Sequence, residues 1–234
     1  MGTRVDDRER GELMTQETAR RWARALIAAI ATFGVLGQVY ASATRPAAPD
    51  TFLAVLVEVF SYWTVQTNTL VALACAIPLL APRSAAGRFF ERPIVRMALA
   101  IYIATTGLIY LVLLSGLWNP AGFQRVVDIT LHYVTPILYP LSWLLLEEHG
   151  RLQWRDAPKL LIYPLIYVTY TLLRGALIGT YPYPFVDVNE LGLPQVLINS
   201  AALAVVFLLA GLVLVAVDRW LGRRKIAART SGAS

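Results

Sequence analysis

Three observations predict an all-α, polytopic membrane fold: a bundle of six transmembrane helices with both termini cytoplasmic. First, 57% of the chain is hydrophobic and only 15% charged, with a mean hydropathy of +0.56, whereas soluble domains carry about a quarter charged residues. Second, apolar stretches of about twenty residues or more, enough to cross a hydrocarbon core as a helix, recur at Trp22–Ala43, Phe52–Leu80, Ile94–Leu117, Val127–Leu146, Lys159–Gly179 and Gln195–Val217. Third, eighteen of the 21 Lys and Arg residues collect on one side, at the termini and in or at the edges of alternate loops, and the intervening loops hold only Arg45 and Arg125. An excess of positive charge marks the cytoplasmic side. The runs are long and continuous, which favours helices over barrel strands, the other structure that satisfies its backbone in lipid.

The domain reading follows: residues 1–20 form a polar cytoplasmic tail, disordered or lying on the surface, 21–220 the six-helix transmembrane domain, and 221–234 a basic cytoplasmic tail. The net charge of +6 is first a topology signal and second a weak attraction to anionic headgroups. The expected partners are therefore membrane lipids and no nucleic acid, in a cytoplasmic membrane. Cys75 is the one cysteine, so an intramolecular disulfide is ruled out, and it reads as a small buried hydrophobe. No phosphate loop or nucleotide fingerprint is present, and no metal or cofactor is expected.

The first run closes on Ala41-Ser42-Ala43, an ending like a signal-peptidase site, but the long leading tail and long apolar run favour a retained helix. The second run carries Glu58, Ser61, Tyr62, Thr64, Thr67 and Asn68; a segment this polar faces protein rather than lipid. At helical spacing Ser61, Thr64 and Asn68 share one face. The third run, with Gly107, Ser115 and Gly116, reads as closely packed scaffold.

The fourth run places Asp128, His132, Thr135, Tyr139 and Ser142 on one narrow face. Pro136 has no amide hydrogen to give the His132 carbonyl, so the axis is expected to bend there. His149, in the following cytoplasmic turn, reads as a solvated loop histidine. The fifth run aligns Tyr163, Tyr167, Tyr170 and Arg174, and the segment Gly179–Asp187, with Pro182 and Pro184, reads as an extended lid on the non-cytoplasmic side.

At about 1.5 Å per residue, Glu58, His132 and Arg174 come to one level, roughly 8 Å below the outer edge. A lone buried charge costs about 3 kcal/mol even on the gentler insertion scale, so Glu58 and Arg174 are expected to pair. His132 is the candidate base, with Asp128 one turn away to hold its tautomer. A single interior histidine among scattered carboxylates lacks metal-ligand spacing. The hydroxyl partner is Thr64, with Ser61 its nearest rival and Thr67 and Tyr62 behind. On a straight second helix, Thr64 would lie about 9 Å deeper than Glu58. The competing class is a non-catalytic membrane protein that binds or conducts a lipid or small solute through its polar interior; no inverted repeat is visible to favour a transporter.

The ordered set Phe60-Ser61-Tyr62-Trp63-Thr64-Val65-Gln66-Thr67-Asn68, His132-Tyr133-Val134-Thr135-Pro136, Arg174-Gly175 and Tyr181-Pro182-Tyr183-Pro184-Phe185-Val186-Asp187 resembles a bacterial branch of the androgen-induced, six-helix membrane protein family. The resemblance runs from about the first helix to the sixth. Eukaryotic members are threonine hydrolases that cleave fatty acid esters of hydroxy fatty acids. The resemblance implies a lipid ester substrate, Thr64 as nucleophile and His132 as its partner. Here Thr64 stands between Trp63 and Val65, where the eukaryotic threonine lies between a leucine and a phenylalanine. Asp128, Asn68, Glu58, Arg174 and Ser61 complete the support, and Tyr62, Tyr167, Tyr170, Tyr183 and Asp187 the substrate pocket. Developing negative charge would be met by Arg174, Asn68 or a freed backbone amide.

Overall fold

The computed structural model describes residues 2–117 and 119–231. It is all-α, with no strand among the described residues. Among the described residues six helices are long and apolar enough to cross a membrane, at Met14–Thr44, Trp63–Leu80, Pro93–Leu114, Gly122–Leu146, Trp154–Ile178 and Val188–Arg224. Most extend past the apolar runs that predict them, because backbone hydrogen bonding does not stop where the hydrocarbon ends. Helix α1 (Gly2–Thr44) shows this at the N-terminus: the expected tail is helical from Gly2.

The second run departs from expectation. It is two helices, α2 (Phe52–Val59) and α3 (Trp63–Leu80), separated by a turn at 60–62. The physical cause is local competition for carbonyls. Ser61 donates its amide to the Glu58 carbonyl at 3.0 Å and its hydroxyl to the same oxygen at 2.6 Å, which ends α2. Glu58 and Thr64 are therefore on different helices, and a depth difference along one axis does not apply to them.

Two compact units divide the chain. The first comprises the residues up to Ala48 together with Thr67–Glu147; the second comprises Pro49–Gln66 and the residues from Glu148 onward. After α3, the short α4 (Ala85–Phe90) is capped by Ser84, whose hydroxyl accepts the Gly87 amide at 2.9 Å. Helix α5 (Pro93–Ile109) continues into a π-helical turn, Tyr110–Leu114, and α6 (Gly122–Ile129) into another, Thr130–Val134, before α7 (Thr135–Leu146). Within the first unit α1 packs along α6 and α7, and α5 along α7.

The π-turn at Thr130–Val134 is where Pro136 makes itself felt. The Thr135 amide reaches back five residues to the Thr130 carbonyl, and the His132 carbonyl, which a proline cannot serve, faces Gly107 on α5. An ideal Cβ built at Gly107 would stand 3.0 Å from the His132 oxygen and 2.8 Å from the Pro136 Cβ. Proline is rigid and the carbonyl is backbone, so the neighbours have little room to yield. Gly107→Ala is expected to cost about 1–3 kcal/mol as overpacking, read by unfolding of the detergent-solubilised protein. A loss below a few tenths of a kcal/mol would mean that α5 and α7 separate freely.

The second unit contains α2, the 3-10 helix Trp154–Leu161, α8 (Ile162–Ile178) and α9 (Val188–Ser231), the last interrupted at Gly192. Here the expectation of a solvated His149 is overturned. Its side chain is 11% exposed, and Nδ1 lies 3.2 Å from Oδ1 of Asp218, itself 2% exposed. The other Asp218 oxygen accepts the Leu152 amide at 2.9 Å, so the loop after α7 is held to α9. Gly150, at φ +90°, allows the close approach: a Cβ on Gly222 would meet its Cα at 2.5 Å.

Candidate functional site

In the first unit the fourth span builds a carboxylate–imidazole pair. Asp128 and His132 lie one turn apart, and His132 Nδ1 is 2.9 Å from Asp128 Oδ1 and 3.1 Å from the Asp128 carbonyl. The second carboxylate oxygen accepts the Tyr110 hydroxyl at 2.8 Å. The Tyr110 and His132 rings stack, with centroids 3.8 Å apart and planes at 12°. Both carboxylate oxygens are thus occupied by donors, which offsets the cost of burying Asp128. With a carboxylate accepting at Nδ1, the ring proton sits there and Nε2 keeps its lone pair.

Tyr110 is the residue the sequence reading missed. The third run read as scaffold, yet it supplies the phenol that stacks on the imidazole and shares its carboxylate. Tyr110, one of two tyrosines in a largely apolar span, was the available signal. Tyr110 and His132 both belong to π-helical turns, a geometry that recurs at functional positions because it re-aims side chains. The predicted polar face of the fourth span is realised: Asp128, Thr135 and Tyr139 are all buried.

The rival hydroxyls of the second run are distinguished by what they bond. The Ser61 hydroxyl is spent on the Glu58 carbonyl. In the first unit the Thr67 hydroxyl lies 3.1 Å from Thr106 Oγ1, which reaches the Tyr102 carbonyl at 2.9 Å, so Thr67 is tied to α5. Asn68 Nδ2 donates to the Leu131 carbonyl at 3.2 Å, a tie that holds α3 to the segment bearing His132.

Thr64 belongs to the second unit, where tyrosines close the helix break. The Trp63 amide donates to the Tyr167 hydroxyl at 3.1 Å, and that hydroxyl donates to the Ser61 carbonyl at 3.1 Å. The Thr64 amide donates to the Tyr183 hydroxyl at 3.2 Å, and Thr64 Oγ1 lies 3.4 Å from the same phenol oxygen. Gln66 Nε2 donates to the Phe60 carbonyl at 2.8 Å and is steadied by the Tyr163 hydroxyl at 2.7 Å. These side chains satisfy backbone groups that the interrupted helix leaves open, as an irregular segment in a membrane requires.

Other expected site residues are placed differently. The anticipated Glu58–Arg174 pair is not among the ion pairs of the described residues, and the buried Arg174 Nε makes no hydrogen bond there. Tyr170 is 39% exposed and Tyr62 37%, and Tyr62 packs edge-on to Tyr183 at 5.7 Å. Asp187 accepts the Asn189 amide at 2.9 Å, so it caps the start of α9 and does not act as a free pocket carboxylate.

A charged cluster also escaped the sequence reading, which took its arginines as orientation signals alone. In the first unit Arg24 bonds Glu91 at 2.7 Å and Glu147 at 2.9 Å, and Arg96 pairs with both carboxylates. Arg24 and Arg96 lie inside apolar runs, which was the clue. No group of His, Cys, Asp and Glu able to hold a metal ion occurs among the described residues. No family model, curated protein or solved structure matches the chain.

Proposed function

We propose that the protein is an intramembrane hydrolase of lipid acyl esters, a bacterial relative of the androgen-induced membrane proteins, with Thr64 as nucleophile and His132 as general base. The observation that carries this reading is the Asp128–His132 pair, with Nδ1 anchored at 2.9 Å and Nε2 left basic, a proton acceptor oriented by a buried carboxylate as acyl-transfer chemistry requires. The ester carbonyl carbon is attacked by Thr64 Oγ1 as the hydroxyl proton passes to His132 Nε2. The carbonyl π pair becomes an oxyanion. Its collapse breaks the bond to the alcohol oxygen, which leaves with the proton from His132. Water, deprotonated by the same nitrogen, then cleaves the acyl-threonine and restores both residues. The reaction requires Thr64 and His132 to meet.

A second reading, non-catalytic binding of a lipid or small solute, draws on one observation: an open cleft of about 470 Å³ in the first unit, bordered by Gln38, Tyr40, Ser42, Arg45, Phe123 and Gln124, a volume within the usual range for ligand sites. Purified protein in detergent, assayed on a panel of lipid esters and with a fluorophosphonate probe, separates the two. Hydrolysis and labelling should both be present, and Thr64→Ala and His132→Ala should each lower kcat/KM at least about 10³-fold, near 4 kcal/mol of transition-state stabilisation. Turnover that survives both changes removes the site; well-folded protein that neither hydrolyses nor labels is a binder.

A further inference from the structure

Acyl transfer needs a donor for the oxyanion, and the second unit offers one beside the nucleophile. The Tyr183 hydroxyl oxygen lies 3.4 Å from Thr64 Oγ1 and accepts the Thr64 amide at 3.2 Å. Its ring is held between two aromatic neighbours. Tyr183 is 9% exposed, stacks on Phe185 at 5.3 Å with planes 5° apart, and takes the edge of Tyr62 at 5.7 Å. Pro182 and Pro184 flank it and restrict the backbone. Of the other donors the sequence suggested, the Asn68 amide is committed to the Leu131 carbonyl and the Thr64 amide to the phenol itself, and no hydrogen bond joins Arg174 to Thr64 among the described residues.

We infer that Tyr183 is the oxyanion donor of the proposed hydrolysis, its oxygen pinned by the Thr64 amide and its proton directed to the carbonyl oxygen of the ester under attack. The inference rests on the hydrolase reading. As Thr64 Oγ1 bonds to the carbonyl carbon, the displaced π pair comes to rest on an oxygen next to the phenol. The phenol proton stays on Tyr183, so the contribution is a hydrogen bond and no proton is transferred. Accepting an amide hydrogen polarises the hydroxyl and strengthens the bond it donates, and that amide belongs to the first turn of α3, at the positive end of the helix dipole.

The phenol is also in the right state. Burial pushes its pKa up to about 12, against a smaller opposing effect of the hydrogen bonds with Thr64. The neutral, donating form therefore persists across physiological pH and is lost only as pH rises towards that value. Because the folded pKa lies above the ordinary tyrosine value, the associated stability is complete below about pH 10 and declines as pH climbs from there.

Tyr183→Phe is expected to lower kcat about 10²–10³-fold with KM within threefold, while Tyr163→Phe, which loses a half-buried hydrogen bond to Gln66, keeps kcat near wild type. A kcat for Tyr183→Phe within threefold of an active wild type overturns the inference and leaves the hydrolase reading standing. Absence of any Thr64-dependent turnover ends both. A ring-fluorinated tyrosine at 183 keeps the shape and lowers the phenol pKa, so it serves if the phenylalanine variant fails to fold. Its kcat should fall off at lower pH than that of the natural protein, and an unmoved alkaline limb overturns the assignment.

Discussion

Glu147→Ala should be the most destabilising single substitution on the first unit, by about 3–5 kcal/mol, read as the free energy of unfolding in mixed detergent. The Glu147 side chain is 12% exposed and faces Arg24 at 2.9 Å, Arg20 at 4.0 Å and Arg96. The Arg24 and Arg96 side chains are 9% and 8% exposed. Without Glu147 they share one carboxylate, Glu91, which is 42% exposed. The expected loss is the penalty of stranding guanidinium charge away from water, and it exceeds the net worth of the pairs. This distinction has its own test. A triple variant, Arg24→Met, Arg96→Met and Glu147→Leu, leaves only Arg20 and Glu91 of the cluster charged and should be less destabilised than Glu147→Ala alone. A cost below about 1 kcal/mol for the single change, the range of exposed pairs, would show that water reaches the cluster.

That cluster marks where sequence reasoning stops. All six spans were legible because hydrophobic length is a one-dimensional property and the lipid enforces it. The polar face Asp128–His132–Thr135–Tyr139 was legible because helical periodicity is local, and Asp128, Thr135 and Tyr139 on it are buried. Partners from distant parts of the chain were not. Arg96 reads as one more cytoplasmic cation until Glu147, fifty-one residues later, is placed against it. His149 reads as a loop residue until α9 brings Asp218 to it, sixty-nine residues away.

The break at Phe60–Tyr62 failed for a related reason. The run Phe52–Leu80 carries no proline or glycine before Pro78, so local propensity favours one continuous helix. What stabilises the turn is the Ser61 hydroxyl together with Tyr167, Tyr183 and Gln66, and three of these four lie outside the 60–62 segment. Tyr183 was placed in a pocket by resemblance, and its bond to the Thr64 amide was not foreseeable from spacing.

The candidate base can be tested without touching the base itself. Asp128→Asn is expected to lower kcat about 10⁴-fold, the scale on which a carboxylate-to-amide change acts in acyl-transfer triads by holding the wrong histidine tautomer. The carboxylate accepts at both oxygens, from His132 at 2.9 Å and from Tyr110 at 2.8 Å. Asparagine has a single oxygen. If Tyr110 keeps donating to that oxygen, the amide NH2 faces Nδ1 and favours it as an acceptor over its contact with the residue-128 backbone carbonyl at 3.1 Å. The ring proton then moves to Nε2, where it blocks removal of the Thr64 proton. Tyr110 therefore decides the orientation of the amide. Replacing it should let the amide turn its oxygen back to His132, so Asp128→Asn with Tyr110→Phe is expected to recover at least tenfold over Asp128→Asn alone. Two damaging changes that partly cancel are hard to obtain from loss of packing, which predicts the double variant to be the worse. Undiminished kcat in Asp128→Asn would remove the dyad, and a double variant slower than the single would remove the tautomer as its mechanism.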